Sequence, residues 1–152
     1  MKWKKILCLF VLFILIFTLT SCKKEYKRIK QLDYDEIFSK DGMYYVFIYM
    51  NDCAICAQIE EQVYDYYVMA KRNDDYPNLY VINRSKKANY DALTGHCSDD
   101  DYSYLIGCTD YKDIKVCTSP VMLKIRHKII KEVFDTRSSI KEELSKWGNE
   151  NE

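Results

Sequence analysis

The sequence predicts an α/β domain in which a central mixed β-sheet is flanked by helices. Three observations predict it. Short apolar runs at 43–50 and 79–82 alternate with stretches of helical character. Two more runs, Pro120 to Ile125 and Ile129 to Phe134, are separated only by Arg126-His127-Lys128, the pattern of a tight antiparallel hairpin. A capped helical stretch with one apolar face then closes the chain. The 152 residues are 48% hydrophobic and 30% charged, a globular balance that suffices for one domain.

In chain order, the first segment is an address. Met1-Lys2-Trp3-Lys4-Lys5 is a short basic start, and Ile6 to Leu19 is an almost unbroken apolar run. The run falls short of the roughly 20 residues that span a bilayer and matches the core of a secretion signal. Leu19-Thr20-Ser21-Cys22 follows. It resembles the lipobox of bacterial lipoprotein precursors, in which a cysteine thiol is acylated and cleavage falls just before it. That resemblance implies a lipoprotein signal peptide over 1–21, lipidation of Cys22, and a protein held by lipid at the outer face of the cell membrane. An uncleaved anchor ending near Thr20 is the alternative, and it too leaves the domain outside the membrane. Removing residues 1–21 removes Lys2, Lys4 and Lys5, so 20 basic residues face 23 acidic ones, a net −3. No basic excess supports binding to nucleic acid. Residues 22–31, rich in Lys and Arg, read as a solvated membrane-proximal tether, and 32–149 as the folded domain.

Asp33-Tyr34-Asp35-Glu36 has the acidic cap and following Glu of a helix start, with Leu32, Ile37 and Phe38 inward and Gly42 as the stop. Met43 to Met50 is nearly all apolar, as a strand buried on both faces is. Cys53 to about Arg72 reads as a helix with Ile55, Ile59, Val63 and Tyr67 on its buried face. Tyr76-Pro77-Asn78 breaks it, and Leu79 to Ile82 is a second strand. Residues 85–93 read as a helix with Ala88 and Leu93 inward, and Thr94 to Asp101 as an acidic loop. Tyr102 to Lys115 has no decisive pattern. After the hairpin, Ser139-Ile140-Lys141-Glu142 reads as the capping box of the last helix, with Ile140, Leu144 and Trp147 inward. Tyr64, Tyr66 and Tyr67 read as core residues with a wet hydroxyl edge.

The chemistry sits at Cys53-Ala54-Ile55-Cys56. A C-x-x-C pair where a strand meets a helix places the first sulfur among unpaired N–H groups at the positive end of the helix dipole. That setting favours the thiolate, the attacking species in disulfide exchange. Cys56, one turn on, is placed to resolve a mixed disulfide formed at Cys53.

With these residues the chain resembles the thioredoxin superfamily from about Asp33 to Trp147. The motifs are strand–C-x-x-C–helix over Tyr44–Cys56 and the later Thr118-Ser119-Pro120 that opens the hairpin. The resemblance implies a thioredoxin-like fold with an inserted segment before the hairpin. It also implies a cis bond at Pro120 beside the active pair, and a role for Ser119 and Pro120 in holding an extended substrate segment by backbone pairing. The implied activity is thiol–disulfide oxidoreduction on protein thiols or disulfides, with Cys53 and Cys56 catalytic. No diffusible cofactor is expected, but a redox partner must recycle the pair. The chain differs from thioredoxins at several places. Asp52 stands where they carry Trp, Ala54-Ile55 separates the cysteines, and Phe47 occupies the position of their buried acid. Glu60 or a water is then the candidate proton acceptor for Cys56. These differences keep a second reading in view: a non-catalytic binding lipoprotein whose C-x-x-C is a structural staple.

Two of Cys97, Cys108 and Cys117 are expected to form a disulfide that staples the inserted segment. His96 and Cys97 with Cys53 and Cys56 supply zinc-ligand types, but no second C-x-x-C knuckle is present, so no metal is expected. Asp99-Asp100-Asp101 lacks the ordered spacing of a calcium loop and reads as a solvated tip. His127 reads as an exposed turn residue.

Overall fold

A computed structural model describes residues 25–95 and 101–148. Four strands form one mixed sheet: β1 (Met43–Tyr49), β2 (Asn78–Asn83), β3 (Val121–Arg126) and β4 (Ile129–Phe134). Their order is β2-β1-β3-β4. β1 runs parallel to β2 and antiparallel to β3, which is antiparallel to β4. Among the described residues three α-helices accompany the sheet: α1 (Ala54–Ala70), α2 (Lys87–Leu93) and α3 (Arg137–Ser145).

β1 explains the two-layered core. Six of its seven residues are buried, and successive side chains leave opposite faces of a strand. Tyr45, Phe47 and Tyr49 pack with α1 residues Ile59, Val63 and Tyr66 and α3 residues Ile140 and Leu144. Tyr44, Val46 and Ile48 pack on the other side with Leu93, Tyr102, Leu105 and Ile114 from the inserted segment. An apolar run without alternation is what a strand covered on both faces needs.

Both sheet edges are covered, which blocks strand-to-strand aggregation. Beyond β2, the Leu32 N–H donates to the Val81 carbonyl (2.9 Å) and the Val81 N–H donates to the Lys30 carbonyl (3.1 Å). Beyond β4, the Gly107 N–H donates to the Ile130 carbonyl (2.8 Å) and the Ile130 N–H to the Cys108 carbonyl (3.1 Å).

Several local expectations shift. The helix expected from Asp33 to Gly42 is a single 3-10 turn, Tyr34–Glu36, although its capping box forms. Beyond it Gly42, with a φ of +77°, turns the chain into β1. The buried face of α1 is Cys56, Ile59, Val63, Tyr66 and Ala70, so Ile59 and Val63 face inward as expected but Ile55 and Tyr67 do not. A strict four-residue repeat drifts off one face, because the helix repeats every 3.6 residues. Ile55 is therefore 46% exposed, and Tyr64 and Tyr67 are half-buried around Tyr66. In α2, Asn89 rather than Ala88 turns inward; its amide accepts from the Tyr34 N–H (3.2 Å) and donates to the Asn83 carbonyl (3.0 Å). The N-cap of α3 lies three residues before the expected one: Thr136 Oγ1 accepts from the Ser139 N–H (3.1 Å), and Ser139 Oγ accepts from the Thr136 N–H (3.2 Å). His127 and Lys128 form the exposed hairpin turn with φ of 52° and 61°.

The largest shift lies before residue 32. Tyr26 and Ile29, expected in the tether, are buried in the core beside Tyr49 and Phe47. Charged neighbours hide this from a sequence reading, because two isolated apolar residues show no period.

Candidate functional site

The site forms where β1 ends and α1 begins. Asn51 and Asp52 turn the chain in water, and Cys53 becomes the N-cap of α1. An N-cap side chain normally accepts from the first turn of its helix, and here a sulfur does so. The Cys56 N–H points at Cys53 Sγ (3.0 Å), and the Ala57 N–H donates to the Cys53 carbonyl (3.1 Å). Cys53 and Cys56 are joined in a disulfide, with Cα atoms 5.2 Å apart. The two sulfurs are not equivalent. Cys56 is 1% exposed and belongs to the core, whereas Cys53 is half-buried at its rim. Cys53 is therefore the sulfur of the pair that solvent can reach.

The start of the hairpin faces this pair. The Ser119–Pro120 bond is cis, and the Ser119 carbonyl oxygen lies 3.3 Å from Cys53 Sγ. The fold thus brings together all four residues singled out from sequence, Cys53, Cys56, Ser119 and Pro120, from segments 66 positions apart.

Three residues that sequence reading missed hold the arrangement. Tyr102 accepts at its hydroxyl from the Cys117 N–H (3.0 Å) and the Thr118 N–H (2.8 Å), and it bonds Thr118 Oγ1 (2.9 Å). Arg84, 3% exposed, donates from Nη1 to the Cys117 carbonyl (2.9 Å) and from Nη2 to Thr94 Oγ1 (3.1 Å). Burial pulls its pKa down from the usual arginine value. Tyr102 and Arg84 therefore clamp the segment before Pro120 from two sides. Tyr26 acts on the other side: its hydroxyl donates to the Cys56 carbonyl (2.6 Å) and its N–H donates to Glu60 Oε1 (2.9 Å). Burial is the main reason its phenol pKa rises well above the ordinary tyrosine value, with Glu60 adding to the shift, so it stays a donor. An arginine directly after an apolar strand was the one available sign of Arg84. Tyr26 and Tyr102 lie in stretches with no pattern.

A recess of about 60 Å³ opens beside the disulfide, lined by Tyr26, Tyr49, Met50, Cys53, Cys56 and Glu60. It has room for water. Of the expected alternative acceptors for a Cys56 proton, Glu60 and water, both have a place there. Phe47 fills the strand position below, stacked 5.3 Å from Tyr26.

Of the remaining cysteines, Cys117 is disulfide-bonded, and Cys108 is the free thiol among the described residues. Cys22, His96, Cys97, Asp99 and Asp100 lie outside the described residues. Asp101 caps a local turn, accepting from the Ser103 N–H (2.8 Å). No helix among the described residues is long and apolar enough to cross a membrane. Among those residues no group of three or more His, Cys, Asp and Glu could hold a metal.

No protein-family model matches the sequence, and no curated protein matches it. Solved structures do. Mitochondrial thioredoxin 3 from Saccharomyces cerevisiae, in its oxidised form, superposes with a TM-score of 0.54 at 8% identity, over 80% of this chain and 98% of that one. Thioredoxin f2 from Chlamydomonas reinhardtii gives 0.51 at 13% identity, over 78% and 95%. A complex of ferredoxin:thioredoxin reductase with thioredoxin f2 contains a chain that gives 0.50 at 9% identity, over 78% and 92%. The fold is thioredoxin-like. At such identities the likeness concerns backbone architecture, so the chemistry of this thioredoxin-like domain must be argued from its own site.

Proposed function

We propose that the chain is a membrane-anchored, extracytoplasmic thiol–disulfide oxidoreductase acting on protein thiols or disulfides. The observation that carries this is the Cys53–Cys56 disulfide at the N-cap of α1, its accessible sulfur 3.3 Å from the Ser119 carbonyl beside cis-Pro120. In the reduced protein Cys53 is the nucleophile. The Cys56 N–H and the positive end of α1 stabilise its thiolate. The thiolate attacks a substrate disulfide, one substrate sulfur leaves as a thiolate, and a mixed disulfide remains at Cys53. Cys56 gives up its proton to Glu60, directly or through water in the recess, and attacks Cys53 Sγ. That releases the second substrate thiol and restores the Cys53–Cys56 bond. Run in reverse, the same steps oxidise a substrate dithiol.

Ser119 and Pro120 form the substrate-binding edge in this reading. The clamp from Arg84 and Tyr102 keeps it in place. Cys22 carries the lipid. Its support is the apolar run and the Leu19-Thr20-Ser21-Cys22 tetrad. Because Cys117 is bonded and Cys108 is not, Cys97 is the proposed partner of Cys117 in the staple of the inserted segment. A redox partner recycles the site; a thioredoxin f2 chain occurs in complex with a reductase, which makes a reductase one reasonable class.

The test is a redox titration of the protein from residue 23 onward in graded thiol buffers, with Cys53 and Cys56 followed by alkylation and mass spectrometry. Reversible pairing between about −270 and −120 mV supports exchange. A bond that resists reduction below about −300 mV, or thiols that never pair, leaves a binding module on a thioredoxin-like scaffold.

A further inference from the structure

We infer that Tyr26 is the positioning residue of the resolving step: it holds the Glu60 carboxylate where that group takes the proton of Cys56. The inference rests on the exchange activity proposed above. Tyr26 is 4% exposed, and each of its polar groups has a partner. Its N–H donates to Glu60 Oε1 (2.9 Å) and its hydroxyl to the Cys56 carbonyl (2.6 Å). Its carbonyl accepts from the Ile29 N–H (3.2 Å) and from Gln31 Nε2 (2.9 Å). Its ring stacks on Tyr49, with centroids 4.4 Å apart, and on Phe47. A residue fixed at this many points is a rigid reference for the groups it binds.

Those groups belong to one turn of α1. Cys56 and Glu60 are four positions apart and share a face of the helix. Helical side chains lean toward the N-terminus, which carries the Glu60 carboxylate back toward Cys56. A glutamate has three rotatable side-chain bonds, and the helix alone does not choose among its rotamers. Tyr26 does: its hydroxyl holds the backbone at Cys56 while its N–H holds the carboxylate at Glu60. One carboxylate oxygen is thus taken by a backbone N–H, and the other is left for a proton. Tyr26, Cys56 and Glu60 line the same recess, where Cys53 and Tyr49 are the other titratable groups. Burial is the main reason the phenol pKa values of Tyr26 and Tyr49 rise, so both stay protonated and neither competes for the proton. Phe47, on the strand below, supplies no acid. The base therefore comes from the helix, and a base on a flexible side chain needs an anchor.

In the resolving step the Cys56 S–H proton passes to Glu60, directly or through water in the recess. The Cys56 thiolate bonds to Cys53 Sγ as the bond from Cys53 to the substrate sulfur breaks, and that sulfur leaves with the electron pair. It takes a proton from solvent, and Glu60 returns its own to solvent. The cysteine pair loses two electrons, and the substrate disulfide gains two. Tyr26 hydrogen-bonds to Cys56 and Glu60 rather than to Cys53, so its substitution acts on resolution and not on the first attack.

The experiment uses the reduced full chain in detergent with 2-hydroxyethyl disulfide as the probe. Rapid-quench alkylation follows formation and resolution of the mixed disulfide as a function of pH. The chains are wild type, Tyr26→Phe, Glu60→Gln and the double variant; phenylalanine keeps the ring stack and removes only the hydroxyl. The expected result for Tyr26→Phe is resolution slowed about tenfold with formation unchanged, the effect of a displaced base. Its pH dependence should steepen toward first order in hydroxide, as in Glu60→Gln. The double variant should be no slower than Glu60→Gln, because Tyr26 acts through Glu60. Wild-type resolution in Tyr26→Phe, equal slowing of both steps, or a further tenfold loss in the double variant would overturn the inference. Wild-type resolution in Glu60→Gln would do so too, since Tyr26 would then have no base to position. A wild-type chain that never forms the mixed disulfide is a separate failure: the oxidoreductase reading falls, and this inference with it.

Discussion

At the residue scale, the difference between Cys53 and Cys56 decides the chemistry. One sulfur is at the rim and the other in the core, so their substitutions should differ in kind. Cys53→Ser should abolish exchange, whereas Cys56→Ser should accumulate substrate in a mixed disulfide, read on non-reducing gels. Glu60→Gln removes the carboxylate that shares the recess with Cys56. The mixed disulfide should then persist about a hundredfold longer, with little change in its rate of formation, as rapid-quench alkylation would show. Tyr102→Phe leaves the Cys117 and Thr118 N–H groups without their acceptor. A loss of about 2 kcal/mol in denaturant unfolding is expected. A raised KM with a smaller change in kcat would place its effect in the proposed substrate-binding edge at Ser119 and Pro120. The cysteine pair was legible in sequence because a C-x-x-C after an apolar strand has few other uses. Tyr102 and Arg84 were not, because a single side chain reaching a distant backbone leaves no periodic trace.

At the element scale, β1 and α1 were legible and the short pieces were not. β1 announces itself by a continuous apolar run, since both its faces are covered. α1 announces itself by length, but its buried face is set by the 3.6-residue repeat and by what the sheet offers, so Tyr66 rather than Tyr67 turns in. In α3 two Ser/Thr-type caps compete within four residues, and packing of Ile140 and Leu144 selects Thr136. Thr136→Ala should cost about 1 kcal/mol, measured by urea unfolding, while Ser138→Ala should cost much less. Among the described residues the inserted segment has no long element; it is held by its contacts with the sheet.

At the scale of the whole molecule, one buried carboxylate ties the last helix to the sheet. Glu143 is 2% exposed and accepts from Tyr45 Oη (2.6 Å), Lys124 Nζ (3.0 Å) and Lys146 Nζ (2.8 Å). Burial alone would raise its pKa; the hydrogen bonds from Lys146, Tyr45 and Lys124 outweigh it and hold the carboxyl below the ordinary 4.5. A depressed folded pKa means stability that is present above the unfolded value and lost as pH falls through the folded one. Denaturant midpoints should therefore drop below about pH 4.5, and Glu143→Gln should flatten that drop while lowering stability at neutral pH. The N-terminal segment matters on the same scale. Removing residues 25–30 takes Tyr26 and Ile29 out of the core and should cost about 5 kcal/mol or more, a large part of the stability of such a domain. Tyr26→Ala should cost about 3 kcal/mol in thermal or denaturant unfolding.

Local patterns along the chain were sufficient for the strand–C-x-x-C–helix motif, the hairpin after Pro120 and the mixed sheet, because each is encoded by neighbours in sequence. Tertiary structure alone decided which sulfur is accessible, what clamps the Pro120 loop, and that Tyr26 and Ile29 belong to the core. Those features depend on contacts between residues 16 to 66 positions apart, whose partners are chosen by the packed core rather than by local propensity.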